Sequence, residues 1–250
     1  GLTMKIALCF SGQPRDLKEC YENINRNLID GYDVDVYAHA WWSEDMAGAE
    51  YKPNSIKFLE KADEEFAKLY KPKKSVFENQ IKFDTSSCSS DNLGVCSSLS
   101  DLERCYFNMK SAYYSTARSF ELALSSNESY DFYVRCRTDL LFPKKFKYEE
   151  LDSDILYIGD GRTAGWDRFF SDWFACGSKS NMQKYCQIYE KFDSYVKRGL
   201  PHMHDLFRFH LEDARCDTYA IGPEIYYFMP KKDEFVNLDG MPRRIFFDKK

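Results

Sequence analysis

The segment Tyr130 to Phe142, YDFYVRCRTDLLF, is an apolar and aromatic run of the kind that forms a buried strand, yet it carries Arg135, Arg137 and Asp139. Side chains alternate faces along a strand, so the spacing predicts these three beside Tyr133 on one face, with Phe132, Val134, Cys136 and Thr138 on the other. An unpaired charge in a dry interior is strongly unfavourable, so that face must be paired, solvated or in contact with a ligand. A carboxylate at the strand's carboxyl end, Asp139, could carry a hard divalent cation on a diphosphate while the Arg137 guanidinium grips phosphate oxygens by its fork. The same two residues could instead close on each other as an internal salt bridge. Arg135, one pleat deeper, is expected to be structural.

Other residues of chemical interest are scattered along the chain. SGQPR, Ser11 to Arg15, follows a short apolar run. It is either an ordinary βα turn with a proline-set helix start, or a place where backbone N–H groups of Ser11, Gly12 and Gln13 and the Arg15 guanidinium meet a phosphate or a base. HAWW, His39 to Trp42, offers rings for stacking, with core filling the stronger expectation. GDGRTAGWD, Gly159 to Asp167, has glycines out of step with a dinucleotide fingerprint and is expected to be a loop, with Trp166 as a sugar platform. His202, His204 and His210 match no complete metallohydrolase pattern, and His204 and His210 would not share a helix face. No P-loop, GxSxG or HExxH occurs.

The elements that must position these residues alternate. KIALCF (5–10) and DVDVYAHA (33–40) pattern as strands, with a helix between them whose Leu17, Cys20, Ile24 and Leu28 recur at helical spacing. A helix over 54–70, a strand over 75–81, a Ser-rich loop over 84–100 and a long helix from about 102 to 124 follow. Beyond the charged run, strands are expected at 155–160 and 173–177, helices over 178–197 and 203–215, and late strands in TYAIG and IYYFM. Strands alternating with helices imply an α/β fold with a central, mostly parallel sheet flanked by helices. Residues 4–250 are taken as one domain, and Gly1 to Thr3 as an expression remnant.

Composition narrows the function classes. A net charge of −5 with no basic stripe argues against nucleic acid as a partner. No stretch approaches the length of a membrane helix and no signal-like start is visible, so no transmembrane segment and a cytoplasmic location are expected. Nine cysteines without CxxC spacing suit reduced thiols, Cys88 and Cys96 being the pair to watch.

Taken together, KIALCFSGQPR, YDFYVRCRTDLLF and SDWFACGSKSNMQKY resemble a group of nucleotide-sugar glycosyltransferases of the GT-A type, found in bacterial polysaccharide clusters and large DNA viruses. The resemblance spans about residues 5 to 211. It implies a GT-A-like, Rossmann-like domain, a nucleotide-diphosphate sugar donor, a glycan or glycoconjugate acceptor, and a Mn2+ or Mg2+ ion on a DxD motif. Arg137, Thr138 and Asp139 stand where the DxD would, so Asp139 is the single metal ligand implied and Arg137 replaces the first aspartate. The resemblance also places the nucleotide against Ser11, Gly12, Gln13 and Arg15. It points to Asp172, then Asp167, as the carboxylate base for the acceptor hydroxyl. A nucleotidyltransferase or phosphohydrolase using the same strand end, or a non-catalytic sugar-binding module, are the alternatives.

Overall fold

The computed structural model describes residues 3–159, 170–199, 203–221 and 227–228. In chain order the strands are β1 (Lys5–Gly12), β2 (Asp33–Trp41), β3 (Lys74–Glu78), β4 (Phe132–Cys136), β5 (Leu140–Leu141), β6 (Leu156–Gly159), β7 (Ser171–Gly177), β8 (Thr218–Ile221) and β9 (Tyr227–Phe228). The α-helices are α1 (Leu17–Ile24), α2 (Ala62–Tyr70), α3 (Leu99–Leu124), α4 (Lys179–Cys186), α5 (Ile188–Lys197) and α6 (Met203–Asp213). The main sheet has seven strands in the order β3-β2-β1-β4-β7-β6-β8, and β5 pairs with β9 apart from it. The pairs β2–β3, β1–β2, β1–β4 and β6–β8 are parallel, whereas β7 runs antiparallel to both β4 and β6. This is the α/β, mostly parallel, helix-flanked sheet that the alternation of patterns predicts, with a Rossmann-like strand order in its first half.

Both faces of the sheet are dry. Leu8, Phe10, Val36, Ala38, Val134 and Cys136 meet Leu17, Cys20 and Ile24 of α1 and Phe66 and Tyr70 of α2 on one face. Smaller residues, Ala7, Cys9 and Ala175, stand on the other, where α3 to α6 bring in larger rings. Tyr106 stacks on Phe192 and Tyr185 on Phe207, at centroid distances of 5.2 and 4.9 Å. Much of the 17% aromatic content is therefore core, held by ring-to-ring contacts rather than offered to a ligand.

Local departures from the patterned expectations have visible causes. The helix expected from residue 54 begins only at Ala62, because Asn54 and Lys61 take left-handed φ values of 64° and 48°. α1 passes into a π-helical turn at Asn25–Ile29. Its side of the molecule carries Asn23 and Asn27 to the segment after β4. There Asn23 bonds both the N–H and the carbonyl of Phe142, at 2.6 and 2.9 Å. α3 starts at Leu99, inside the expected loop, where Ser98 accepts the Asp101 N–H as an N-cap. The helix expected over 178–197 divides at Gln187 into α4 and α5. Cys96 faces Asp101 and Cys105 rather than forming a pair with Cys88.

Candidate functional site

Two features of the sheet fix where a ligand site can form. The strand order reverses at β1, which leads through α1 to β2 on one side and has β4, reached through α3, on the other. That reversal opens a crevice beyond the carboxyl ends of β1 and β4. Because β7 is antiparallel to β4, its first residues come to the same edge.

The turn after β1 is shaped by Gly12, whose φ of +98° suits glycine; a Cβ there would meet nothing within 4 Å, so backbone conformation rather than space sets the residue. Its N–H donates to Ser115 Oγ on α3 at 2.8 Å. The expectation that this N–H serves a phosphate is thereby corrected. Ser115 is pinned in turn by His39, whose Nδ1 lies 2.7 Å from Oγ and whose Nε2 lies 2.7 Å from Glu78. Glu78, His39 and Ser115 resemble a hydrolase relay, but Ser115 is wholly buried and its oxygen is engaged by Gly12, so the chain is a brace. Burial, outweighing the pull of Glu78, lowers the His39 pKa and favours the neutral ring.

Beyond Gly12, Gln13 Oε1 accepts from Arg15 Nε and Nη2 at 3.1 and 2.8 Å, and the Arg15 guanidinium lies over the Tyr51 ring at 4.3 Å. Burial, then the Arg137 charge, hold the Arg15 pKa below the ordinary arginine value although Asp139 opposes them. Thr138 Oγ1 donates to the Arg15 carbonyl at 2.7 Å, so the turns after β1 and β4 are tied together.

The turn after β4 departs from the simple alternation. β4 stops at Cys136, and Arg137 to Asp139 form a turn, so Asp139 does not continue the strand face that carries Arg135. Arg137 closes on Asp139 as a bidentate pair, Nε to Oδ1 at 2.8 Å and Nη2 to Oδ2 at 2.6 Å. The internal salt bridge that the sequence allowed is thus present. Burial works against the Arg137 charge, but Asp139, and Asp172 more weakly, outweigh it and hold the guanidinium pKa above its ordinary value.

A cavity of about 390 Å³ occupies the crevice. The structure brings Ser11, Gly12, Gln13, Arg15, Arg137 and Asp172 together on its wall, as the sequence reading of the site requires. Asp139 is not on that wall, and Asp167 and Trp166 lie outside the described residues. Arg135, expected to be structural, is on the wall as well. Trp41 and Gln80, with Phe107, Asn108, Ser111 and Ala112 of α3, complete it. The sequence reading missed these α3 residues; the available signal was the run of small and polar residues, Asn108, Ser111 and Ser115, along an otherwise aromatic helix. Asp172 sits where β6–β7 pairing slips, since Ile158 faces Ala175 while Gly159 faces Ser171. Such irregularities re-aim side chains. Its carboxylate makes no hydrogen bond or ion pair among the described residues.

Asp16, which the sequence reading passed over, lies behind the Arg15 turn. It is buried in left-handed conformation at φ 50°, its Oδ1 has no hydrogen-bond partner among the described residues, and its Oδ2 accepts from Tyr51 at 3.4 Å. Burial first, then the Asp139 and Glu19 charges, push its pKa up to about 7. Of the histidines, His210 is enclosed between Tyr195 and the Lys184 carbonyl, both at 2.7 Å, and its ring is engaged in structure rather than aimed at the cavity. His202 lies outside the described residues.

The divalent cation that the sequence resemblance implies would have to bind Asp139. Both of its oxygens are taken by Arg137, and the side chain is 4% exposed. The residues present do not fit a metal there. No protein-family model matches the chain, and no curated protein matches it.

Proposed function

We propose that the chain is a glycosyltransferase that moves a sugar from a nucleoside-diphosphate donor to a hydroxyl of a glycan acceptor. The observation that carries this reading is the convergence of Arg15, Arg135 and Arg137 on one cavity at the strand-order reversal with a carboxylate, Asp172, that makes no hydrogen bond or ion pair among the described residues. Guanidinium groups suit phosphate oxygens, and the crevice is where nucleotides lie in open α/β sheets. Trp41, Gln80 and the small residues of α3 extend the cavity beyond the arginines, which leaves room for the rest of a nucleotide. Nine cysteines without CxxC spacing suit reduced thiols, the state of a reducing compartment, and a cytoplasmic location is part of this reading.

In the reaction, the acceptor oxygen forms its bond to the anomeric carbon as its proton passes to Asp172. The bond from that carbon to the diphosphate oxygen breaks, and the electron pair leaves with the nucleoside diphosphate. Negative charge growing on that oxygen is met by preset guanidinium groups, which need little reorganisation.

The test is product analysis with a panel of nucleotide sugars and glycan acceptors. Free nucleoside diphosphate with an extended glycan supports the reading. Pyrophosphate or inorganic phosphate as the product would assign the site to nucleotidyl transfer or phosphohydrolysis. Binding of a nucleotide sugar with no turnover on any acceptor would assign it to a sugar-binding module.

A further inference from the structure

Two arginines of the cavity wall are in opposite states. Arg137 is neutralised by the bidentate pair with Asp139. Arg135 is 3% exposed, makes one hydrogen bond among the described residues, Nη1 to the Ser11 carbonyl at 3.4 Å, and leaves Nε without a partner among them. Among the described residues no carboxylate lies within ion-pair distance of it. A buried guanidinium with no counter-charge is a strongly unfavourable arrangement unless an anion completes it. This one opens on the cavity. Among the described residues the wall carries three guanidinium groups, from Arg15, Arg135 and Arg137, the last paired with Asp139, against one carboxylate of its own, Asp172. Such a wall repels a dication and attracts a multiply charged anion.

We propose that the cavity binds the diphosphate of a nucleoside diphosphate directly through Arg135, with Arg137 and Arg15 beside it, and without a divalent cation. Asp139 then acts as a positioning residue that holds the Arg137 guanidinium in place by Nε and Nη2, not as a metal ligand. Arg135, without an ion-pair partner among the described residues, is a reserved anion site, and a fork geometry with parallel N–H groups matches two phosphate oxygens at once. The diphosphate identity rests on the glycosyltransferase reading; the anion site at Arg135 stands on the burial and the missing partner alone.

Isothermal titration with UDP, GDP, ADP and CDP, and with inorganic pyrophosphate, in excess EDTA and again in MnCl2 or MgCl2, tests this. At least one nucleoside diphosphate is expected to bind in EDTA, with a Kd within about threefold of that in metal, a difference smaller than one charged hydrogen bond. Arg135→Gln is expected to weaken that binding by about tenfold or more, the loss of one charge-assisted contact. The free protein's Tm should be unchanged or higher, because a buried unpaired charge has gone. Arg135→Lys keeps the charge, loses the fork, and should fall between. Binding that needs metal, an Arg135→Gln variant that folds and binds like the wild type, or no diphosphate binding under either condition would each overturn the proposal. Transfer activity is scored separately. Metal-free binding without transfer keeps the anion site and defeats the glycosyltransferase reading, whereas metal-dependent binding with transfer does the reverse.

Discussion

Among the described residues Asp172 is the one acidic group on the cavity wall, and none of them hydrogen-bonds its carboxylate. If it accepts the acceptor's proton, Asp172→Asn should lower kcat by about 10²- to 10⁴-fold, with donor Kd little changed, measured by steady-state transfer and by titration of the nucleoside diphosphate. A weaker donor Kd with kcat unchanged would place it in binding alone. Asp16 makes a second residue-scale prediction. Its folded pKa of about 7 lies above the ordinary 3.8, so the folded chain keeps a proton that the unfolded chain releases. The stability this gives is whole below the ordinary value and is lost as pH rises through about 7. Asp16→Asn should therefore raise stability above pH 7, by up to about 4 kcal/mol, and leave it unchanged in acid, as thermal melts across pH would show. His39 and His210 act in the opposite sense. Burial lowers both from 6.5, so their contribution is present above that value and lost as pH falls through the lowered one. Arg137 and Asp139 were legible as a charged pair in YDFYVRCRTDLLF. Arg135 was not legible as a wall residue, because its exposure to a cavity depends on α3, far away in sequence.

Among the elements, the join between α1 and the segment after β4 decides how the Arg137 turn is held. Asn23 bonds both backbone groups of Phe142, and Asn27 adds its amide to the same carbonyl at 3.2 Å. Asn23→Ala leaves two buried backbone groups without that partner, and should lower stability by about 1–3 kcal/mol in denaturant titrations. Asn23→Asp keeps the acceptor for the Phe142 N–H and loses only the donor. Periodicity gave β1, β2, α3 and the strand at 173–177 to within a few residues, because each carries a full apolar face. It failed at Cys136, where alternation was carried into a turn, and at Asn54 and Lys61, where left-handed backbone breaks a helical pattern that composition does not reveal.

For the molecule as a whole, strand order matters most. Alternating strands and helices announced a parallel sheet, and the order β3-β2-β1-β4 puts SGQPR and the Arg137 turn on either side of one crevice. The antiparallel entry of β7, which brings Asp172 to that edge, was not legible: strand direction is settled by pairing across the sheet, not by the pattern within WFACG. The rings that fill the α3 to α6 layer fold this half around the sheet, and Phe192→Ala, which removes partners of Tyr106 and Tyr113, should cost about 3–5 kcal/mol in thermal or denaturant unfolding. No helix among the described residues is long and apolar enough to cross a membrane. The proposal that the arginine-lined crevice holds a nucleotide-sugar donor for transfer is tested by a transfer assay across nucleotide sugars with glycan acceptors, monitored for both products. Free nucleoside diphosphate and an extended glycan are expected in equal amounts, suppressed by Asp172→Asn; no transfer from any nucleotide sugar, or full transfer by that variant, would overturn the proposed function.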